Sequence, residues 1–324
     1  MKKKSFVLIV AWCALSIFSG LGIARAGDPP TIEIGAFTPP SLGAFLPPVI
    51  TEAQLDVKNG IKVTWTLKPP KAYNMGYFSG EFKVGASGAL LNDAIRRVKG
   101  HKTVWLFNTF DYFGTVLSRD PAIKTLKDLE GRKLAASKVT TNYAMYRYFA
   151  KKEGVDLDKI DTLSASIPAL LTFLTAERVD AVQLWEPAFT KIMVEQPGKY
   201  FPIFYHKFLK KYAGVDLCPY LGVSAHESWI KENPGMIQKI YNSFKDAEKW
   251  IWGHPSEASE IIAKKCKIPV KAIQELLKHN ERLLLNVVPA EKIEREVFEV
   301  FKMANWEGHI KKLPDRGIIY HGLK

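Results

Sequence analysis

Apolar and polar residues alternate with a period of two along Thr31–Phe37 and again along Ile61–Leu67, which predicts two half-buried strands. Phe82–Ser87, Thr103–Phe107, Lys133–Ser137 and Val179–Trp185 predict four more. Between them the period lengthens to that of helices over Ala44–Ala53, Asn92–Val98 and Ile167–Glu177. Thr140 or Thr141 caps a further helix that runs to Lys152 and is closed by Gly154, and Leu126–Gly131 is a short one. Strands interleaved with helices predict an α/β protein. From Pro234 onward the pattern is helical only: Pro234–Trp252, Pro255–Lys264, Val270–Leu285 and Ala290–Ala304. Phe78–Gly85 and Leu174–Ala181 each leave a helix and enter a strand in the same manner, about 96 residues apart. That echo points to two similar halves rather than one sheet.

The N-terminus reads differently. Met1–Lys4 is positive, Phe6–Ile23 is apolar without a charge, and Ala24-Arg25-Ala26 places small residues just before Gly27. This is the pattern of a cleaved signal peptide over residues 1–26, with export to the periplasm. An uncleaved anchor is the alternative, but Ala-x-Ala followed by Gly-Asp-Pro-Pro favours cleavage. Bulky Trp12 before Cys13 argues against a lipoprotein cysteine.

Composition removes whole classes. With 47% hydrophobic and 24% charged residues over 324 positions, disordered, collagen-like and disulfide-framework chains are excluded. The net charge of +13 includes Lys2, Lys3, Lys4 and Arg25, so the 298 residues after the leader carry +9. Those lysines are scattered, with no arginine stripe and no zinc-ligand spacing, so nucleic acid is not an expected partner. Cys218 and Cys266 could pair in an oxidising compartment, although two separate buried thiols is the plainer reading. No Gly-x-Ser-x-Gly elbow, phosphate loop, His-Glu-x-x-His or Cys-x-x-Cys occurs, and the seven His are dispersed. No catalysis, cofactor or metal is expected.

Several segments then carry a resemblance. Ala44–Ile50, Phe78–Glu81, Ile123–Ala135, Leu174–Ala181 with Trp185-Glu186-Pro187, and Asn233-Pro234 follow one another in order. Together they resemble the periplasmic solute-binding proteins of ABC importers, in the group that takes nitrate, sulfonates, taurine and pyrimidine precursors. The resemblance implies a two-lobed type II periplasmic-binding-protein fold with the ligand cleft between lobes and a helical C-terminal segment. It implies lobe 1 from residues 27–114 plus 221–324 and lobe 2 from 115–220, with crossings at Tyr112–Leu117 and Tyr220–Ser224. It also implies a monomer that delivers its solute to ABC permease subunits. One departure is Lys68-Pro69-Pro70-Lys71, where relatives carry a Gly-Gly-Ser-like turn: two N–H donors are lost and Lys71 restores a positive charge.

Candidate ligand contacts sit where strands give way to helices. In the first half these are Ser41 and Leu42, Ser87 in a Gly85–Gly88 loop, and Asn108 beside the crossing. In the second half they are Thr140, Thr141 and Asn142 at a helix entrance suited to an anion or carbonyl, then Trp185 as a stacking wall and Glu186 as an acceptor. For the serine and threonines, plain capping remains open beside ligand contact. The function expected is a receptor for a sulfonate, carboxylate or aromatic acid. The alternatives are a receptor for a heterocyclic vitamin precursor, or an exported enzyme or sensor on the same fold.

Overall fold

A computed structural model describes residues 28–324, so the leader read over 1–26 lies outside the described residues. The chain begins with β1 (Thr31–Phe37), α1 (Leu46–Glu52), α2 (Leu55–Lys58), β2 (Lys62–Lys68), α3 (Pro70–Ser79), β3 (Val84–Ala89), α4 (Leu90–Val98) and β4 (Thr103–Asp111). It then builds a second sheet through β5 (Thr115–Ser118), β6 (Lys133–Ala136), α5 (Thr141–Lys152), β7 (Asp161–Ser164), α6 (Ile167–Thr175), β8 (Ala181–Leu184), α7 (Ala188–Glu195), β9 (Phe201–Ile203) and α8 (Leu209–Ala213). The return is made by β10 (Pro219–His226), followed by α9 (Glu227–Glu232), α10 (Met236–Gly253), α11 (Pro255–Cys266), α12 (Val270–Leu277), α13 (Asn280–Leu283), β11 (Leu285–Pro289) and α14 (Glu294–Trp306).

The first sheet has the order β11-β4-β10-β3-β1-β2 and the second β7-β6-β8-β5-β9. Strands β1 and β2 run parallel in register from Thr31↔Lys62 to Phe37↔Lys68, while β10 is antiparallel to both β3 and β4. Each sheet is covered by its own apolar cluster. Val49, Phe244, Ile262 and Ile273 bury one face of the first sheet, and Leu117, Val182 and Phe189 belong to the second. A third cluster, with Leu91, Tyr146, Phe149 and Phe301, joins α4, α5 and α14 across the two sheets. The C-terminal helices therefore touch both halves: α14 packs on α4 and α5, and α12 packs on α7. Among the described residues no helix is long and apolar enough to cross a membrane.

Three expectations need correction. Gly85–Gly88 is not a loop but the interior of β3, every residue of which is buried. Its small residues are there because Tyr73 presses on the strand: a Cβ at Gly85 would lie 2.1 Å from the Tyr73 hydroxyl oxygen. The tail is not purely helical, because β11 adds an edge strand beside β4. Tyr220–Ser224 does not cross between sheets; it lies within β10, and the return comes before it, where the Tyr112 N–H donates to the Cys218 carbonyl. Gly222 is needed for close approach, since a Cβ there would sit 2.2 Å from Trp105 and 2.4 Å from the Phe107 carbonyl oxygen. Cys218 and Cys266 are separate buried thiols.

The echo of the two halves is visible in the backbone. α3 ends at Gly80 (φ 78°) before β3, and α6 runs out at Glu177 (φ 57°) before β8. Pro70 opens α3 at a position whose N–H would have no helical partner in any case.

Candidate functional site

The N-terminus of α5 is the most connected of the expected sites. Thr140 is extended (φ −101°, ψ 156°), its Oγ1 accepts from the Tyr143 N–H at 3.3 Å, and its hydroxyl donates to the Ser137 carbonyl at 2.7 Å. Thr140 is thus the N-cap of α5. Thr141 is buried and lines, with Leu90, Leu91 and Tyr220 of the first half, a narrow gap between the sheets. Asn142 is buried and reaches furthest. Its Nδ2 donates to the Tyr220 hydroxyl at 2.8 Å, and its carbonyl accepts from Tyr112 at 3.1 Å and from Gln183 Nε2 at 2.7 Å. The Tyr112 and Tyr205 hydroxyls share a hydrogen bond of 2.8 Å, and Gln183 Nε2 also donates to Tyr205 at 2.9 Å. Burial holds all three tyrosines above their ordinary range, Tyr220 at about 12.

Ser41, Leu42 and Ser87 form a second group in the first half. Ser41 Oγ accepts from the Gly43 N–H at 3.3 Å as the cap of a short turn, and Leu42 is buried behind it. The buried Ser87 hydroxyl donates to the Gly43 carbonyl at 2.8 Å and accepts from the Phe37 N–H at 3.1 Å. Ser87 thereby clips the loop after β1 onto β3.

Asn108 belongs to a third group. Its Nδ2 donates to Asp111 Oδ1 at 3.1 Å and to the Asn286 carbonyl at 3.0 Å, and its Oδ1 accepts from the Tyr220 N–H at 3.2 Å. Burial pushes the Asp111 carboxyl up to about 7, against the opposing hydrogen bonds from Asn286 and Asn108.

Trp185 and Glu186 lie at the end of β8. Trp185 is half-buried against the core of the second sheet. Glu186 is 1% exposed, and its carboxylate accepts from the Thr190 N–H at 3.0 Å and the Thr190 hydroxyl at 2.8 Å. Burial pushes it up to about 7, opposed first by Thr190 and then by Arg282 and His279. The Arg282 guanidinium lies 5.9 Å from the Phe189 ring centroid, so the tail meets the second sheet at this point.

The structure therefore joins Thr140–Asn142 to the crossing, links Asn108 to Asn142 through Tyr220, gathers Ser41, Leu42 and Ser87, and keeps Glu186 in a separate network. Tyr205, Gln183, Asp111, Asn286 and Arg282 are the additional polar residues. Their partners lie far away in the chain, up to 178 residues for Asn108 and Asn286, which leaves no local pattern to find them by. Among the described residues no group of three or more His, Cys, Asp or Glu is arranged to hold a metal ion.

The family model for NMT1/THI5-like proteins matches residues 90–258, just over half of the chain. The chain belongs to the NMT1/THI5-like family. A Brucella abortus protein with the provisional designation of binding protein is 20% identical over 290 residues, spanning 87% of this chain and 85% of its own. Solved structures with the same fold include the periplasmic aliphatic sulphonate binding protein SsuA of Escherichia coli. It is 17% identical, with a TM-score of 0.73, covering 90% of this chain and 96% of its own. The alkanesulfonate-binding protein SsuA of Xanthomonas axonopodis pv. citri, solved with bound MOPS, is 13% identical with a TM-score of 0.68 over 90% and 99% of the chains. The fold of this NMT1/THI5-like chain is thus the two-lobed type II periplasmic-binding-protein fold.

Proposed function

We propose that this protein is the periplasmic solute-binding component of an ABC importer, a monomer that closes two lobes on a small organic anion and presents it to the permease. One lobe is residues 28–114 with 219–324, because β10 begins at Pro219 in the first sheet, the other is 115–218, and residues 1–26 are the cleaved leader. The observation that carries the reading is the α5 N-terminus. It brings capped backbone N–H groups, Thr140 and Thr141 to the lobe boundary and is tied across it by Asn142 and Tyr220. A helix of 12 residues ending there favours negative charge by about 0.3–1 kcal/mol. The sulfonate ligands named for the SsuA structures support an acid as the solute. Closure follows from differential contacts, since a ligand touching both lobes binds the closed form better than the open one. The protein binds its solute without transforming it.

A heterocyclic solute is the second reading. It is favoured by the aromatic surroundings of the gap, Tyr112 and Tyr220, whose rings stand edge-to-face 5.5 Å apart.

The test is thermal unfolding of the protein, stripped of bound ligand by unfolding and refolding, against alkanesulfonates, aromatic acids, pyrimidines, flavins and nitrate. A ligand at 100 times its Kd adds about 2.7 kcal/mol. The expected result is a raised Tm with one anion class, reduced in Thr141→Ala. A Thr141→Ala loss equal for anionic and neutral ligands refutes the cradle, and turnover of the ligand refutes the receptor.

A further inference from the structure

One cavity of the first lobe is separate from the lobe boundary. A groove of about 540 Å³ runs between α3 and α4, and every residue lining it falls between Lys71 and Lys99. That volume is in the range of small-molecule sites. Its floor is apolar: Met75 and Phe78, one turn apart on α3, are 64% and 44% exposed, and Ile95 faces them from α4. Large apolar side chains left open side by side mark a surface with a use.

Charge on the groove has one sign. Lys71, Arg96 and Lys99 line it, and no acid does. Arg96 is buried and pre-set: Nη1 donates to Asp93 at 2.6 Å, Nη2 donates to Asn74 Oδ1 at 2.8 Å, and the guanidinium lies 4.7 Å from the Tyr77 ring centroid. Asp93 offsets that cation. Lys71 and Lys99 are exposed and form no ion pair among the described residues. Because β3 and β4 both run antiparallel to β10, and β3 runs parallel to β1 and β1 to β2, α3 and α4 point the same way. Lys71 therefore marks one end of the groove and Lys99 the other, with the apolar floor between. Pro70 starts α3, and Lys71 is left on the groove.

We propose that this groove is a second ligand site, confined to one lobe, for an amphipathic anion: an aryl or alkyl body along Met75, Phe78 and Ile95, with a carboxylate or sulfonate held at one end of the groove by the lysine there. Such a ligand pairs the apolar floor with its body and an uncompensated cation with its acid group, and it needs no lobe closure. A purely hydrophilic anion gains nothing from the floor, and an amphipathic cation is repelled.

Calorimetric titration of the full chain with 2-naphthalenesulfonate tests this, with methanesulfonate and 2-naphthylmethylammonium as controls. Lys71→Glu/Lys99→Glu alters two exposed side chains, so the fold is retained, which circular dichroism checks. The double variant should lose one binding event or weaken it about tenfold, as expected when two cations in a water-like dielectric become acids. Added salt should weaken the same event. Thr141→Ala should leave that event unchanged, which separates the groove from the lobe boundary. Phe78→Ser should weaken it without altering its salt dependence. The proposal is overturned by absence of binding, by equal binding of the naphthylmethylammonium, or by titrations identical in wild type and the lysine double variant.

Discussion

Replacing Glu186 by Gln exchanges a buried carboxylate for an amide of nearly the same shape, so the charge is the main thing removed. Burial raises this carboxyl from its ordinary 4.5 to about 7 in the folded protein. The folded state therefore holds the proton more tightly than the unfolded chain does. Below pH 4.5 both states are protonated and the residue costs nothing. Between pH 4.5 and 7 the unfolded chain ionises first, so stability falls as pH rises, and above 7 the whole cost is present. At 1.36 kcal/mol per pH unit, the gap from 4.5 to about 7 corresponds to about 3 kcal/mol. In the variant the Gln carbonyl can still accept from the Thr190 N–H, and its amide N–H can donate to the Thr190 hydroxyl oxygen. Glu186→Gln should thus be more stable than wild type by about 1–3 kcal/mol at pH 8 and equal to it near pH 4.5. Urea unfolding at both pH values, with slopes compared, reads this directly. A difference independent of pH refutes the argument. A variant less stable at pH 8 would show that Arg282 and His279 hold the carboxylate charged.

Two further outcomes follow from contacts already described. Gly85→Ala should destabilise by about 1–3 kcal/mol, because its Cβ would lie 2.1 Å from the Tyr73 hydroxyl oxygen. Tyr73→Phe should recover a large part of that loss in denaturant titrations of the double variant, since the hydroxyl has no hydrogen-bond partner among the described residues; no recovery would contradict the overlap. Tyr220→Phe removes the 2.8 Å bond from Asn142, worth about 1 kcal/mol, and so should shift the lobes toward the open form about fivefold. Small-angle scattering without ligand should then give a larger radius of gyration, and an unchanged radius would mean that this bond does not restrain the lobes.

The sequence pattern was legible wherever local chemistry decides the backbone. β1 was read to the residue from its alternation, and α5 from its threonine cap, because both signals lie within a few residues. β11 escaped notice because the boundary before it carries no glycine: Leu284 itself takes the left-handed conformation, φ 51°, and ends α13 without a sequence mark. The far end of β4 was missed because Asn108 and Asp111 read as loop residues, and their burial is made tolerable by each other, by the Asn286 amide and carbonyl and by the Tyr220 N–H. Ser87 and its glycines looked like a ligand loop for the same reason that they are a strand: both need small residues, and the presence of Tyr73 decides between them. The serine and threonine candidates were found as caps. The contacts of Asn142 with Tyr112, Gln183 and Tyr220 were not, since they exist only once the two sheets are placed.

The joint between the two sheets is made of Tyr112, Asn142, Gln183, Tyr205 and Tyr220, amides and phenols with no ion pair among them. Burial keeps the phenols protonated well past neutrality. These five residues offer acidity and dissolved salt no charge to act on, but charged groups flank them: Asp111 beside Tyr112, with its carboxyl near 7, and the Arg147–Glu307 and Lys151–Glu307 pairs between α5 and the end of α14. Salt and acidity therefore reach this joint through the flanking groups and not through its own hydrogen bonds.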